Sequence, residues 1–218
     1  MCLLIIFCIY IIFHVMVVIR IALRGKYTND LLKYIRNNNF DMTEVLEKTN
    51  KIIQKIDANT HMSLVKYIGG HCHINSKLSK NEKINKDDEE QIRNINYIVD
   101  AVEPMEKDLV LFHGFERNTK YNEHTFEIDK VFSIKGFLSK TLSFDVANGF
   151  AKEYDFFHRK FIVVKYKKGS KQISQNIRLP THNEYEHITF SNELLIIKDI
   201  VRYIKFPIVY SFYLCVLY

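Results

Sequence analysis

The chain has 218 residues, 47% of them apolar and 26% charged, with a formal net charge of +6. That length suits one ordinary domain whose core is large enough to fold alone. The positive charge is spread thinly, with no Arg/Lys block and no zinc-ligand spacing, which argues against a nucleic-acid module. Four cysteines (Cys2, Cys8, Cys72, Cys215) lack framework spacing and read as free thiols.

Met1 to Ile19 is continuously apolar apart from His14. About twenty such residues in helical rise match the thickness of a bilayer core. The cations follow this stretch, as Arg20, Arg24 and Lys26, and no small-residue cleavage site precedes them. A cleaved signal peptide has the opposite order. The segment therefore predicts a membrane anchor over residues 1–24, with a single pass and the remaining domain facing the cytosol. A buried helix or a misassigned start codon are the other readings of the same residues. No Asn begins an Asn-x-Ser/Thr acceptor, in keeping with a cytosolic domain.

Residues 28–36 predict a short helix capped by Thr28, Asn29 or Asp30. Asp41 with Glu44 resembles a capping box, and Val45, Leu46, Ile52, Ile53 and Ile56 then share one helical face. A third helix runs through His61–Gly69 and stops at Gly69-Gly70. Asn75 to Asp88 is polar and reads as a loop. Asn85 caps the clearest helix, whose acidic first turn suits the positive end of the dipole and whose stripe is Ile92, Ile95, Ile98, Val99 and Val102.

From Leu109 the period changes to that of strands, over 109–115, 136–143, 161–168, 183–190, 193–200 and 208–216. One further helix begins at Phe144 with Ser143 as its cap. Helices first and strands second predict an α+β domain over residues 25–218, helical over 25–105 and mainly β over 106–218.

The chemistry-bearing residues lie in the β part. Glu184 and Glu186 are two apart on a strand, which places both carboxylates on one face, an arrangement that costs energy unless something offsets it. On Ser139-Lys140-Thr141 two hydroxyls share a face with Lys140 opposite, and a fixed hydroxyl can orient a carboxylate. His113 and Gly114 end a strand: the imidazole can donate to a ribose hydroxyl, and Gly permits close backbone approach. His71-Cys72-His73 has no matching second pair at zinc spacing, so no metal is expected.

The order of DLVLFHGF, then GFLSKTLSFDVANGFA, then VVKYKKGSK, then NEYEHITF resembles the ADP-ribosyltransferase superfamily in its bacterial-toxin-like and ecto-enzyme branches. The helices around YIGGHCHINSKL and INKDDEEQIRNINYIVDAV are similar to that family's N-terminal part, so the likeness runs from about Lys26 to Tyr218. It implies N-terminal helices packed on a split β-sandwich, with NAD as co-substrate. It implies Glu186 as the catalytic carboxylate, Glu184 as the residue that orients an Arg acceptor, and Ser139 as the holder of Glu186. His113, Gly114, Phe137, Thr141 and Arg159 would bind NAD, with Tyr154 to Arg159 closing over it, and Ile177 to His182 would meet a target protein.

Two positions depart from the toxin-like pattern: His113 stands where an Arg is usual, and Lys140 replaces a Thr. The expected activity is transfer of ADP-ribose from NAD to a protein side chain. The alternatives are a degenerate fold that binds NAD, ADP-ribose or a protein without catalysing, NAD hydrolysis at the same carboxylate, and a membrane-tethered structural protein whose pattern matches arise by chance.

Overall fold

The computed structural model describes residues 43–69, 73–116, 121, 126–175 and 186–218. The apolar N-terminal segment, the helix over 28–36, Asp41, His71, Cys72, the loop 177–182 and Glu184 lie outside the described residues. Among those described, no helix is long and apolar enough to cross a membrane.

Among the described residues four helices come first: α1 (Thr43–Ile53), α2 (Ala58–Ile68), α3 (Ile74–Ser79) and α4 (Lys86–Ala101). Then follow β1 (Leu109–Gly114), β2 (Val131–Ser133), β3 (Lys140–Thr141), α5 (Phe144–Tyr154), β4 (His158–Tyr166), β5 (Ile173–Gln175), β6 (Glu186–Ile188), β7 (Leu194–Lys205) and β8 (Ile208–Leu217). The order is that of the α+β domain read from the pattern.

Local chemistry accounts for most helix boundaries. Asp57 caps α2 by accepting from the amides of Asn59 and Thr60. Asn85 and Asp88 form a full capping box on α4, where the sequence placed the cap. Such a cap contributes on the order of 1 kcal/mol. Ser143 accepts from Val146 N to start α5. The exception is α3, where the polar sequence predicts a loop. Tertiary contacts override it: Ile74 is fully buried, and the Asn75 amide clasps the Phe137 backbone in both directions, at 2.8 and 2.9 Å. Lys77 also pairs with Asp88 of α4 at 2.6 Å.

The eight strands form a sheet in the order β2-β7-β8-β4-β1-β3-β6-β5. It is antiparallel throughout, except that β4 and β8 run parallel. Its two halves, β2-β7-β8-β4-β1 and β3-β6-β5, join through a single residue pair, Phe112 with Thr141. The expected split sandwich is thus one ladder with a seam.

Alternation along the strands separates the layers. Leu111, Phe115, Ile162, Val164, Leu195 and Ile197 enter one core with Val45 of α1, while Val110, Phe112, Phe161, Val163 and Phe212 pack under Ala147 and Ala151 of α5. An irregularity between Ile197 and Asp199 shifts the phase of β7, so Val201 and Tyr203 turn to the α5 side. A third core seats α2 and α4 on the smaller half, through Leu64, Ile95, Ile98 and Val99 against Ile173 and Ile188. Each fully buried aliphatic of this kind contributes roughly 1.5–3 kcal/mol.

Candidate active site

Three neighbouring strands present one row of residues at the seam: Phe112 of β1, Thr141 of β3 and Glu186 of β6. The row opens into a cleft whose lining also includes His113, Gly114, Glu116, Ser139 and, from α5, Val146, Ala147 and Phe150. Strand β3 has only two residues, which leaves Ser139 just outside its ladder and able to turn its hydroxyl along the row. That hydroxyl donates to Glu186 Oε1 in a short hydrogen bond. The backbone that carries this side chain is held as well, because Ser174 Oγ donates to the Glu186 carbonyl at 2.7 Å. Thr141 Oγ1 accepts from Ser143 N at 3.0 Å and so links the row to the cap of α5.

His113 is buried and fully engaged. Its Nδ1 lies 2.7 Å from the Ser139 carbonyl, which can only accept, so Nδ1 carries the proton. In the neutral ring Nε2 must then accept, and Tyr121 OH donates to it at 2.9 Å while accepting from Glu116 N at 2.7 Å. The imidazole therefore pins the backbone of the residue whose side chain holds Glu186. A ribose hydroxyl would reach it only by displacing one of these partners.

Burial is the main cause that pulls the His113 pKa down to about 4, with the Lys140 charge adding to it. His187, also fully buried, is pulled down to about 3 for the same two reasons. Both rings are neutral in the fold, but unfolded each takes a proton near 6.5. Their contribution is complete above pH 6.5 and is lost as pH falls from there towards 4. Each should cost on the order of 3 kcal/mol by the lower limit. Urea midpoints measured from pH 7 to pH 4.5 should fall steadily, and a His187→Gln variant should show a shallower fall; a flat profile would contradict the burial.

Lys140 points away from the row, as alternation requires. Its ammonium bonds Thr189 Oγ1 at 2.7 Å and Glu193 Oε2 at 2.9 Å, and Tyr166 OH donates to the same carboxylate oxygen at 2.6 Å. The usual Thr is thus replaced by a buried ion pair that leaves the cleft face to Ser139 and Thr141.

Several residues singled out in the sequence sit differently from their expected roles. Gly114 makes a close backbone approach, but to α5: a Cβ there would lie 1.9 Å from the Ala147 carbonyl oxygen. Phe137 is a core residue, edge-on to Tyr67 at 5.3 Å, and lines only a smaller recess beyond His113 and Glu116. Arg159 is buried outside the cleft lining, bonded to Asn148 Oδ1 at 2.8 Å and lying 5.6 Å from the ring centres of Phe156 and Tyr210. Tyr154 packs on the Phe115 core rather than over the cleft. Glu116, Tyr121 and Phe150 were not legible as site residues. Glu116 stands two positions beyond Gly114, a strand-period signal, whereas Tyr121 belongs to no strand and meets the site through His113 and the Glu116 amide. Among the described residues no group of His, Cys, Asp and Glu could hold a metal ion.

No family model and no curated protein matches the chain. Solved structures do. The C3larvin toxin, an ADP-ribosyltransferase from Paenibacillus larvae, superposes with a TM-score of 0.60 at 12% identity, over 85% of this chain and 98% of that one. The ADP-ribosylating toxin BECa of C. perfringens, solved with NADH, gives 0.62 at 17% identity over 88% of this chain and 49% of its own. Exoenzyme S from Pseudomonas aeruginosa, in complex with human 14-3-3 protein beta and bound to carba-NAD, gives 0.57 at 13% identity, over 87% and 88%. The fold is that of the ADP-ribosyltransferase toxins. Within the ADP-ribosyltransferase fold seen here, the seam that joins the two half-sheets is also where the Ser139–Glu186 contact and the cleft coincide.

Proposed function

We propose that this chain is an NAD-dependent mono-ADP-ribosyltransferase that modifies a protein side chain, with Arg as the acceptor, and that residues 1–24 hold it at a membrane with the domain facing the cytosol. The observation that carries the reading is the Ser139 hydroxyl bound to Glu186 in the seam cleft of a toxin-type transferase fold. Two neighbours of that fold were solved with NADH or carba-NAD.

The chemistry is cleavage of the bond between the nicotinamide-ribose C1′ and the pyridinium nitrogen. Nicotinamide leaves with the bonding pair, and positive charge develops on the ribose. Glu186 offers a fixed negative charge to that oxocarbenium-like state and an acceptor for the ribose 2′-hydroxyl. A guanidinium nitrogen then attacks C1′ and loses a proton, Glu184 being suited to orient and polarise it. Because Ser139 already holds Glu186 in place, little of this charge arrangement has to be assembled during the reaction.

A second reading is favoured by three features of the site. His113 is saturated by Ser139 and Tyr121, Lys140 is turned away, and no Arg lines the described cleft. A degenerate module that binds NAD or ADP-ribose without turnover would have this character. Incubating the full chain with NAD labelled in its adenylate half and a cell lysate separates the readings. Label on protein is the expected result; free ADP-ribose alone would mean hydrolysis, and NAD binding without either product would mean the module.

A further inference from the structure

At the end of the sheet farthest along α5 from its cap, two turns carry exposed apolar side chains. Asp155 accepts from the amides of Phe157 and His158, both at 2.9 Å, and this fixed turn leaves Phe156 and Phe157 49% and 61% exposed. The Phe157 carbonyl accepts from Val209 N at 2.7 Å, which pins the turn beside the start of β8. The β7–β8 hairpin closes at the Lys205–Ile208 pair, so Ile204 and Phe206, 43% and 79% exposed, lie at the same end.

Cations accompany these residues. Lys152 Nζ and the Arg159 guanidinium each lie 5.6 Å from the centre of the Phe156 ring, Lys160 is half-buried on β4, and Arg202 and Lys205 are exposed on β7, the strand that carries Ile204. Against them stand Glu153, exposed, and Asp155, whose Oδ1 already serves the turn. Phenylalanine has no polar group to satisfy in water, and these rings project from convex turns rather than lining a groove. Apolar tips accompanied by Lys and Arg suit the interface of an anionic bilayer, where cations near the surface add electrostatic attraction to apolar burial.

We propose that this end of the sheet is a membrane-contact surface that seats Phe156, Phe157, Ile204 and Phe206 in the headgroup region of anionic lipid. The choice of a bilayer as occupant rests on the reading of residues 1–24 as an anchor. Residues 25–42 would then tether the domain within roughly 60 Å of the bilayer. A tethered surface meets its partner at high effective concentration, so weak contacts suffice. The contact would orient α5, and the cleft that α5 lines, relative to the membrane.

The chain contains no Trp, so a single introduced Trp reports its own surroundings. Full-length Phe206→Trp and, as a control, Tyr97→Trp on the exposed side of α4 would be mixed with vesicles of equal parts phosphatidylcholine and phosphatidylglycerol containing brominated chains. Flotation records whether the chain is on the vesicles at all. The expected result is a blue shift and more than about twofold quenching of the Phe206→Trp emission, with the Tyr97→Trp emission unchanged. Adding Phe157→Ser and Lys205→Glu to Phe206→Trp should relieve the quenching. Flotation without quenching at position 206 would leave the anchor standing and overturn the contact surface. No flotation and no quenching would overturn both. A blue shift that grows with protein concentration in the absence of lipid would show a second copy covering the surface, and would equally overturn the proposal.

Discussion

Replacing Glu186 with Gln should abolish both ADP-ribose transfer and NAD hydrolysis while leaving the fold intact. Gln preserves the shape of the side chain and can still accept from the Ser139 hydroxyl, which is the contact the structure records. What it removes is the negative charge that the proposed mechanism sets against a developing oxocarbenium ion. Losing one preorganised electrostatic partner of that kind lowers turnover by on the order of 100-fold or more. Etheno-NAD turnover measures the loss, and near-UV circular dichroism checks that packing is retained. Ser139→Ala should behave as a weaker version of the same lesion. One charge-assisted hydrogen bond is lost but the carboxylate stays, so a decrease of roughly tenfold is expected. Turnover by Glu186→Gln at the wild-type rate would remove this residue from the chemistry, and wild-type turnover by Ser139→Ala would leave their contact without a catalytic role.

Gly114→Ala should be the most damaging single methyl group in the protein. The new Cβ would meet the Ala147 carbonyl oxygen at 1.9 Å and Ala151 N at 2.9 Å, all backbone atoms of a helix packed on β1. No side-chain rotation relieves such a clash, so α5 must shift off the sheet and loosen Ala147 and Ala151 from Phe112 and Phe161. We expect a loss of more than about 3 kcal/mol, at the upper end for overpacking. Gly149→Ala on the same helix provides the opposite sign. A Cβ there meets nothing within 4 Å, and Ala in a helix interior is better than Gly by roughly 0.5–1 kcal/mol. Denaturant midpoints of the two variants should therefore move in opposite directions from the wild type. Equal midpoints for Gly114→Ala and wild type would mean that β1 and α5 are not packed as described.

The contrast between those two glycines shows where sequence reading stops. Both are single letters in strand or helix patterns, and nothing local distinguishes them. By its sequence Gly114 permits close approach of a ligand; it borders the cleft, but the space its missing Cβ would fill is taken by α5. His113 shows the same limit: its place at the end of β1 was legible, but its two partners come from residue 139 and from Tyr121. Phe137 precedes the Ser139 strand as an aromatic is expected to, yet its ring belongs to the core beneath α2. Lys140 was expected on the face opposite Ser139 and Thr141, and alternation put it there. That it would find Glu193, Thr189 and Tyr166 in a buried network depended on residues more than twenty positions away.

What the sequence determined by itself is everything governed by short-range periodicity and capping. Helical stripes in the first part, the Asn85 capping box, the Ser143 cap and the strands β1, β4, β7 and β8 follow from residues within a few positions of one another. The order of strand-borne His, Ser and Glu is what carries the resemblance to the ADP-ribosyltransferase superfamily. Tertiary structure alone decided the short elements, α3, β2 and β5, whose intrinsic propensity is too weak to nucleate without neighbours. It also decided the strand order, in which β3 joins two half-sheets through one pair of residues. Only that joining brings Ser139 to Glu186 across 47 positions of chain, because a hydrogen bond acts over ångströms in space and leaves no trace in sequence spacing.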